Sequence, residues 1–160
     1  MQTHALDNVD LQLLNALQDH ARIKRQDLAQ RVNLSIPAVS ERLRKLLEAG
    51  YIREYATHLE PHFLGLDITA FVIVQSTTSL QYQTFTDRVN TFPEIQECHS
   101  VTGDGSHILK IRTESTRKLE NILSEIQSWP GVTRTKSNIV LSTYKETLKV
   151  PLGHLTPESQ

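Results

Sequence analysis

The residues of this chain that most clearly suggest a chemistry are the basic side chains between positions 22 and 53. This window holds eight Lys or Arg residues and three acidic ones, a local charge of +5, whereas the whole chain has a formal net charge of -1. Lys and Arg bind phosphate oxygens, and Arg also fits guanine edges. The charge therefore indicates contact with a nucleic acid, if a suitable element carries it. The basic residues are Arg22, Lys24, Arg25, Arg31, Arg42, Arg44, Lys45 and Arg53, and the acidic ones are Asp27, Glu41 and Glu48.

Catalytic and metal-binding patterns are absent from the sequence. The single cysteine, Cys98, forms no internal disulfide, and we expect a buried apolar role for it. Among seven histidines only His58 and His62 stand at helical spacing, and Pro61 between them opposes a helix. Nucleophile-elbow, Walker and dinucleotide-binding motifs do not occur. We therefore expect no enzymatic activity, no cofactor and no metal site.

Composition describes a globular chain. Its 160 residues are 38% hydrophobic and 22% charged, which suits one ordinary domain or two small ones. Apolar runs are too short for a membrane span, and the first residues lack the pattern of a signal segment. We expect a cytoplasmic location.

Two helices are predicted before the central part of the basic window. Asp7 is a plausible N-cap for the first helix, with Asp10 three residues later and apolar residues at helical spacing as far as Leu17. The second helix is short and covers residues 26–32. Its start is poorly capped, because Lys24 stands where Ser, Thr or Asp is preferred.

A tight turn followed by a third helix is the most informative part of the sequence. Asn33 can adopt the left-handed conformation that ends a helix, and Ser35 can cap the next one. Pro37 is tolerated in the first helical turn because its missing N–H needs no partner there. The third helix is predicted over residues 36–49, with Gly50 as its stop.

The outward side of the third helix carries small polar and basic residues. A helix, a tight turn and a second helix of this kind match the geometry that lays a recognition helix in the major groove of DNA. The alternative is a helical hairpin used only for packing, with solvated charges. The residues predicted to contact DNA are Ser35, Pro37, Ala38, Ser40, Glu41, Arg42, Arg44 and Lys45.

The remainder of the chain predicts a βαββαβ order, which is typical of a ferredoxin-like α+β sandwich. Four antiparallel strands would carry both helices on one face, and a second copy would cover the other face to form a dimer. Strands are predicted at residues 67–76, 95–102, 107–113 and 132–143, and helices at 80–90 and 117–128.

The predicted organisation has four parts. A helix-turn-helix domain, winged-helix-like, covers residues 1–51, and an extended linker or hinge covers 52–65. The ferredoxin-like domain covers 66–148. Residues 149–160, with two prolines and few apolar groups, are expected to form a loose tail.

Several short runs resemble the Lrp/AsnC family of bacterial and archaeal regulators, also called feast/famine regulators. The resemblance covers nearly the whole chain and implies a sequence-specific DNA-binding regulator that dimerises and assembles into octamers. The family usually has glycine at the position of Asn33, which keeps the same backbone geometry. The runs are residues 6–10, 13–14, 21–23, 27–29, 32–35, 39–46 and 50–52.

The resemblance also implies a role for the loop between the two middle strands. By itself, a loop with two glycines is either a ligand-facing turn or a structural hairpin. In the family a Gly-Asp-x-Asp loop followed by an aromatic residue lines an amino-acid effector site between dimers. Ser106 and His107 depart from that pattern, and Ser106 removes a possible acidic partner for an ammonium group. The predicted effector site comprises Thr102, Gly103, Asp104, Gly105, Ser106, His107 and Ser137.

Two further readings of the sequence remain. Siroheme decarboxylases share this two-domain architecture, use His and Arg for a polycarboxylate tetrapyrrole, and need no DNA. The outward Arg42, Arg44 and Lys45 favour DNA over that enzyme. The other alternative is a ligand-sensing module that controls no gene.

Overall fold

A computed structural model describes residues 5–77 and 82–155 of the chain. The chain divides into two compact units, one formed by Met1–His58 together with Glu146–Gln160 and the other by Leu59–Lys145. Among the described residues, no helix combines the length and apolar character needed to cross a membrane.

The first unit begins with two of the predicted helices. Helix α1 spans Asn8–Asp19 and starts with a reciprocal capping box: the Asp10 N–H donates to Asp7 Oδ1 at 2.8 Å, and the Asp7 N–H donates to Asp10 Oδ2 at 3.3 Å. Helix α2 spans Arg25–Arg31, and no side chain caps its start at Lys24. Both the good cap of α1 and the poor cap of α2 are confirmed.

The predicted turn leads into helix α3, Ile36–Glu48. Asn33 is in the left-handed region, with φ 52°, and is the one non-glycine residue with positive φ in the described chain. The Ser35 hydroxyl accepts a hydrogen bond from the Ala38 N–H at 3.3 Å. Gly50, with φ 82°, follows the helix end. The turn chemistry expected from sequence is therefore confirmed.

The three helices bury one shared apolar core. Leu13 of α1, Leu28 of α2 and Leu46 of α3 are fully buried. Each fully buried aliphatic side chain contributes roughly 1.5–3 kcal/mol to the free energy of unfolding. The apolar faces that helical periodicity predicts therefore stabilise this unit.

The C-terminal segment differs from the loose tail that its composition predicts, because residues 146–155 belong to the first unit. The Gln18 amide donates to the Val150 carbonyl at 3.1 Å and accepts from the Val150 N–H at 2.7 Å. Lys149 forms an ion pair with Asp19, and Leu152 packs against the helical core. Few apolar residues suffice here because the helices already provide the apolar surface.

Replacing Leu152 with alanine is expected to lower the free energy of unfolding of the first unit by about 1–2 kcal/mol, since Leu152 packs against its core while remaining partly exposed. Leu148→Ala is the matched control, because Leu148 is 78% exposed and should change stability by less than about 0.5 kcal/mol. Urea unfolding followed by circular dichroism measures both. Equal effects would show that the segment does not pack as described.

The segment predicted as an extended linker, residues 52–65, forms no strand in the structure. A strand requires a hydrogen-bonded neighbour, and the single chain places none beside this segment. Its last part forms a short 3₁₀ turn, His62–Leu64, which ends at Gly65 with φ 74°.

The second unit has the predicted α+β architecture. Its antiparallel sheet has the order β2-β3-β1-β4, the arrangement of a ferredoxin-like fold. Strands β2 and β4 end earlier than predicted, and the predicted helix start at residues 80–81 lies outside the described residues. The elements are β1 (Ile68–Ser76), α4 (Tyr82–Val89), β2 (Ile95–Ser100), β3 (His107–Thr113), α5 (Thr116–Gln127) and β4 (Val132–Ile139).

One face of the sheet carries the core of the second unit. Val72 and Leu109 are fully buried beneath α4 and α5, together with Ile122 and Trp129. The opposite face is not covered by helices: Phe71, which alternates with Val72, is 38% exposed. This uncovered face carries Thr69, Phe71, Ile73, Ile108, Lys110, Arg112, Lys136 and Asn138, as the strand register shows.

Candidate functional site

Helix α3 presents the polar side that the sequence predicts. Val39, Leu43 and Leu46 point into the core. The opposite side of the helix is exposed at Ser40 and Lys45. Of the residues predicted to contact DNA, the structure leaves Ser35, Pro37, Ser40, Glu41, Arg44 and Lys45 exposed and Ala38 half-buried.

Arg44 is held by two carboxylates of its own helix. Its Nε and Nη2 donate to the two Glu41 oxygens at 2.9 and 2.6 Å, and its Nη1 donates to Glu48 at 2.5 and 2.6 Å. The hydrogen bond from Arg44 lowers the pKa of the Glu41 carboxyl. Lys45 Nζ lies 3.8 Å from Glu41. On the exposed side of α3, two cations are therefore paired with two anions. A count of charged residues in the sequence does not reveal this pairing.

Arg42 occupies a different position from the other predicted contact residues. Its Nη1 donates to Asp7 Oδ2 at 2.7 Å and to Asp10 Oδ1 at 2.8 Å, which joins α3 to the start of α1. Asp10 is 1% exposed and Arg42 is 30% exposed. Burial alone would raise the pKa of Asp7, but the Asp10 N–H and the Arg42 guanidinium together lower it. In this chain Arg42 is ion-paired with a buried carboxylate, and its contact with DNA stays a prediction.

The glycine-rich loop is anchored to strand β1. The Ser106 N–H donates to the Val74 carbonyl at 2.8 Å, and the Ser106 hydroxyl accepts hydrogen bonds from the Ser76 N–H at 3.0 Å and the Ser76 hydroxyl at 2.9 Å. The Gln75 amide donates to the Asp104 carbonyl. Ser76 and Gln75 are therefore part of the loop site.

Sequence reasoning did not include these two β1 residues. They lie about thirty positions from the loop, and only the β1–β3 register brings them beside it. No spacing in the sequence signals that register, because alternation identifies a strand and not its neighbour.

The two loop glycines have different structural roles. Gly103 has φ 108°, a backbone region that side-chain-bearing residues rarely adopt. Gly105 is in an ordinary conformation, but a Cβ there would lie 2.4 Å from Ile73 Cγ2. Gly105 thus permits the close approach to β1, while Thr102 and Asp104 remain exposed at the tip.

His107 and Ser137 lie apart from the exposed tip of the loop. The His107 side chain is 2% exposed and stacks on Phe85, with ring centroids 4.5 Å apart. It belongs to the helix side of the sheet, which differs from the predicted contact with an effector. Ser137 stands opposite Val72 on β4, so β1 separates it from β3 and the loop. Within one chain the structure does not bring Ser137 and the loop together.

The second unit is expected to lose stability as the pH falls below about 6.5. Burial lowers the pKa of His107, so the unfolded chain holds a proton on this ring more tightly than the folded chain does. Stability is then full above the unfolded pKa and declines as the solution is acidified through it. Urea unfolding at about pH 7.5 and 5.5 measures the loss, and His107→Leu should remove the part due to this ring. An unchanged pH dependence in the variant would assign the loss to other groups.

No group of three or more His, Cys, Asp or Glu side chains in the described residues is arranged to hold a metal ion. The candidate functional features that the geometry does present are the polar side of α3 and the loop anchored to β1.

The two parts of the chain match two different families of protein domains. Residues 6–53 match a winged helix-turn-helix DNA-binding domain, and residues 69–150 match the Lrp/AsnC ligand binding domain. The proline dehydrogenase transcriptional activator of Rhizobium radiobacter is 36% identical, covering 91% of this chain and 95% of that protein. A helix-turn-helix regulator of Pyrococcus horikoshii is 33% identical, covering 92% and 97%.

A solved structure has the same fold over almost its whole length. A transcriptional regulator of Neisseria meningitidis, crystallised as a complex with L-Met, superposes with a TM-score of 0.89 at 31% identity and covers 94% of this chain and 99% of that one. Both units of the chain therefore have counterparts in a single known architecture.

Proposed function

The chain belongs to the Lrp/AsnC family of transcriptional regulators, and from this premise we propose that it binds duplex operators through α3 and is modulated by an amino-acid effector at its second unit. The observation that carries the DNA part is the exposed polar side of α3 behind a correctly formed turn. A transcriptional regulator must reach the chromosome, so we propose a cytoplasmic location.

Arg44→Ala is expected to weaken binding to a selected duplex about tenfold or more and to relax preference at one base position, because a bidentate Arg contact discriminates bases by about 1–3 kcal/mol. The duplex is first selected from a random pool with the wild-type protein. Arg117→Ala is the control, an exposed cation of α5 in the second unit. Equal binding by Arg44→Ala and the wild type would contradict the placement of α3 in the groove.

The proposed effector is an amino acid. Two observations support it: the Neisseria meningitidis regulator was solved with L-Met, and the loop of this chain presents Thr102 and Asp104 at an exposed tip. The Ser106 hydroxyl is engaged by Ser76, so the loop holds its shape before any ligand arrives. Calorimetric titration with L-Met and then with a panel of amino acids tests the proposal. No heat of binding with any of them, at concentrations up to the millimolar range, would end it.

The proposed assembly is a dimer, with octamers as a further step. The uncovered sheet face supports it, since Phe71 at 38% exposure lies beside the half-buried Ile73 and Ile108. Light scattering during gel filtration gives the mass directly. A monomeric mass at micromolar concentration would contradict the dimer.

The enzyme alternative is a siroheme decarboxylase. The relatives named above are transcriptional regulators, which suggests a function without catalysis. Incubation with siroheme followed by mass measurement of the product is the direct test of the decarboxylase.

A further inference from the structure

The recognition helix contributes little net charge to DNA attraction. On its exposed side Arg44 and Lys45 face Glu41 and Glu48, so two positive charges are matched by two negative ones. Arg42 is paired with Asp7 and Asp10 at the start of α1. The excess charge that the sequence shows must therefore lie elsewhere in the first unit.

The densest part of that excess lies between the end of α1 and the first residue of α2, while Arg31 and Arg53 carry single positive charges elsewhere in the window. Arg22, Lys24 and Arg25 fall within four positions, and all three are exposed. None of them lies within ion-pairing distance of a carboxylate in the described part of the chain. We name these three residues the cationic turn.

Two acids of α1 are already paired with other cations. Asp19, the last residue of α1, is paired with Lys149 of the C-terminal segment. The hydrogen bond from Lys149 lowers the pKa of the Asp19 carboxyl. Asp10 is buried under Arg42. Of the residues from 22 to 31, only Asp27 is acidic.

We propose that the cationic turn is the principal phosphate-binding surface of this protein, and that α3 reads bases while adding little to the electrostatic attraction. The inference rests on the proposed binding of duplex DNA. In a helix-turn-helix the helix before the recognition helix crosses the DNA backbone, and the cationic turn leads into that helix, α2. Because none of the three cations forms an ion pair within residues 5–77 and 82–155, each can displace a counterion from the duplex without first breaking such a pair.

The two surfaces then make separable contributions. Loss of a phosphate contact weakens binding to every duplex by the same factor and lowers its dependence on salt. Loss of a base contact changes the preference between duplexes. Arg44 must exchange Glu41 and Glu48 for a base edge, which costs little because exposed ion pairs are worth only about 0.3–0.5 kcal/mol each.

The test compares the full-length wild type with a variant in which Arg22, Lys24 and Arg25 are all replaced by glutamine. Arg117→Gln is the matched control, an exposed cation of the second unit. Dissociation constants are measured at several salt concentrations for the duplex selected from the random pool and for a scrambled duplex of equal length. Circular dichroism checks folding, and the three single variants serve if the triple variant does not fold.

The affinity of the triple variant should depend less on salt. The magnitude of the slope of log affinity against log salt is expected to decrease by about 3 per protomer, and by about 1 in each single variant. The ratio of affinities for selected and scrambled duplexes stays unchanged, and Arg117→Gln behaves as the wild type. A slope equal to that of the wild type overturns the inference, and so does a changed affinity ratio.

Failure of the proposed function gives a different pattern. A wild type that selects no sequence, yet loses salt dependence in the triple variant, would overturn operator recognition while supporting the cationic turn.

Discussion

Replacing Arg42 with alanine is expected to lower the free energy of unfolding of the first unit by about 3 kcal/mol. The change leaves the Asp10 carboxylate, 1% exposed, without the guanidinium that lies 2.8 Å away. Removing one partner of a buried ion pair costs about 3–5 kcal/mol, and the lower end applies because Arg42 is 30% exposed. Urea unfolding followed by circular dichroism measures the effect.

Two further variants separate this ion pair from the general loss of a surface cation. Arg44→Ala should cost less than about 1 kcal/mol, because its partners Glu41 and Glu48 are exposed and return to water. The double variant Asp10→Leu with Arg42→Leu should be more stable than Arg42→Ala, since it removes the buried carboxylate together with its guanidinium partner. If Arg42→Ala and Arg44→Ala were equally stable, the ion pair of Arg42 with the buried Asp10 would contribute no more to stability than the exposed pairs of Arg44. DNA binding by Arg42→Ala is interpretable only under conditions where the variant is folded.

Replacing Trp129 with alanine is expected to destabilise the second unit by about 3–5 kcal/mol. Trp129 is the chain's single tryptophan and is 2% exposed. Its ring lies 5.5 Å from those of Phe85 and Phe92, in an edge-on and a tilted arrangement. Truncation would leave a large cavity beneath α5, which the rigid sheet cannot fill. The measurement is urea unfolding followed by far-ultraviolet circular dichroism, because the variant lacks the fluorescent side chain.

Trp129→Phe is the control for this prediction. It keeps an aromatic ring in the cluster and should cost roughly half as much as alanine, since less apolar surface is lost. Comparable losses for phenylalanine and alanine would mean that the indole shape, and not buried volume, decides the stability of this core.

Function in this chain depends on charges whose partners differ from site to site. The charge count of the basic window treats Arg42, Arg44 and Arg22 as equivalent. In the structure Arg42 is paired with a buried acid, Arg44 is paired with exposed acids, and Arg22 is unpaired among the described residues. The same residue type therefore carries a stabilising role at Arg42, a proposed base-reading role at Arg44 and a proposed phosphate-binding role at Arg22.

Local features of the first unit were predictable from sequence because their causes are local. The Asp7 cap, the left-handed Asn33 and the Ser35 cap each depend on residues within three positions. The apolar stripes of α1 to α3 follow from helical periodicity alone. Within the second unit, strand alternation and the helix-ending proline at residue 130 gave the order of elements for the same reason.

Other features required contacts between residues far apart in the chain. Composition suggested a loose end for the segment that contains Leu152, because only the folded helices create the surface on which it packs. His107 was predicted both to begin a strand and to contact an effector, and the direction of its side chain follows from its place in the β1–β3 ladder.

By itself the sequence determined the element order, the turn between α2 and α3 and the family to which the chain belongs, because spacing, caps and short motifs are all written along the chain. Only the tertiary structure decided which charges are free to meet DNA. An ion pair such as Arg42 with Asp10 joins positions 32 residues apart, and its strength depends on burial and geometry that no linear pattern contains.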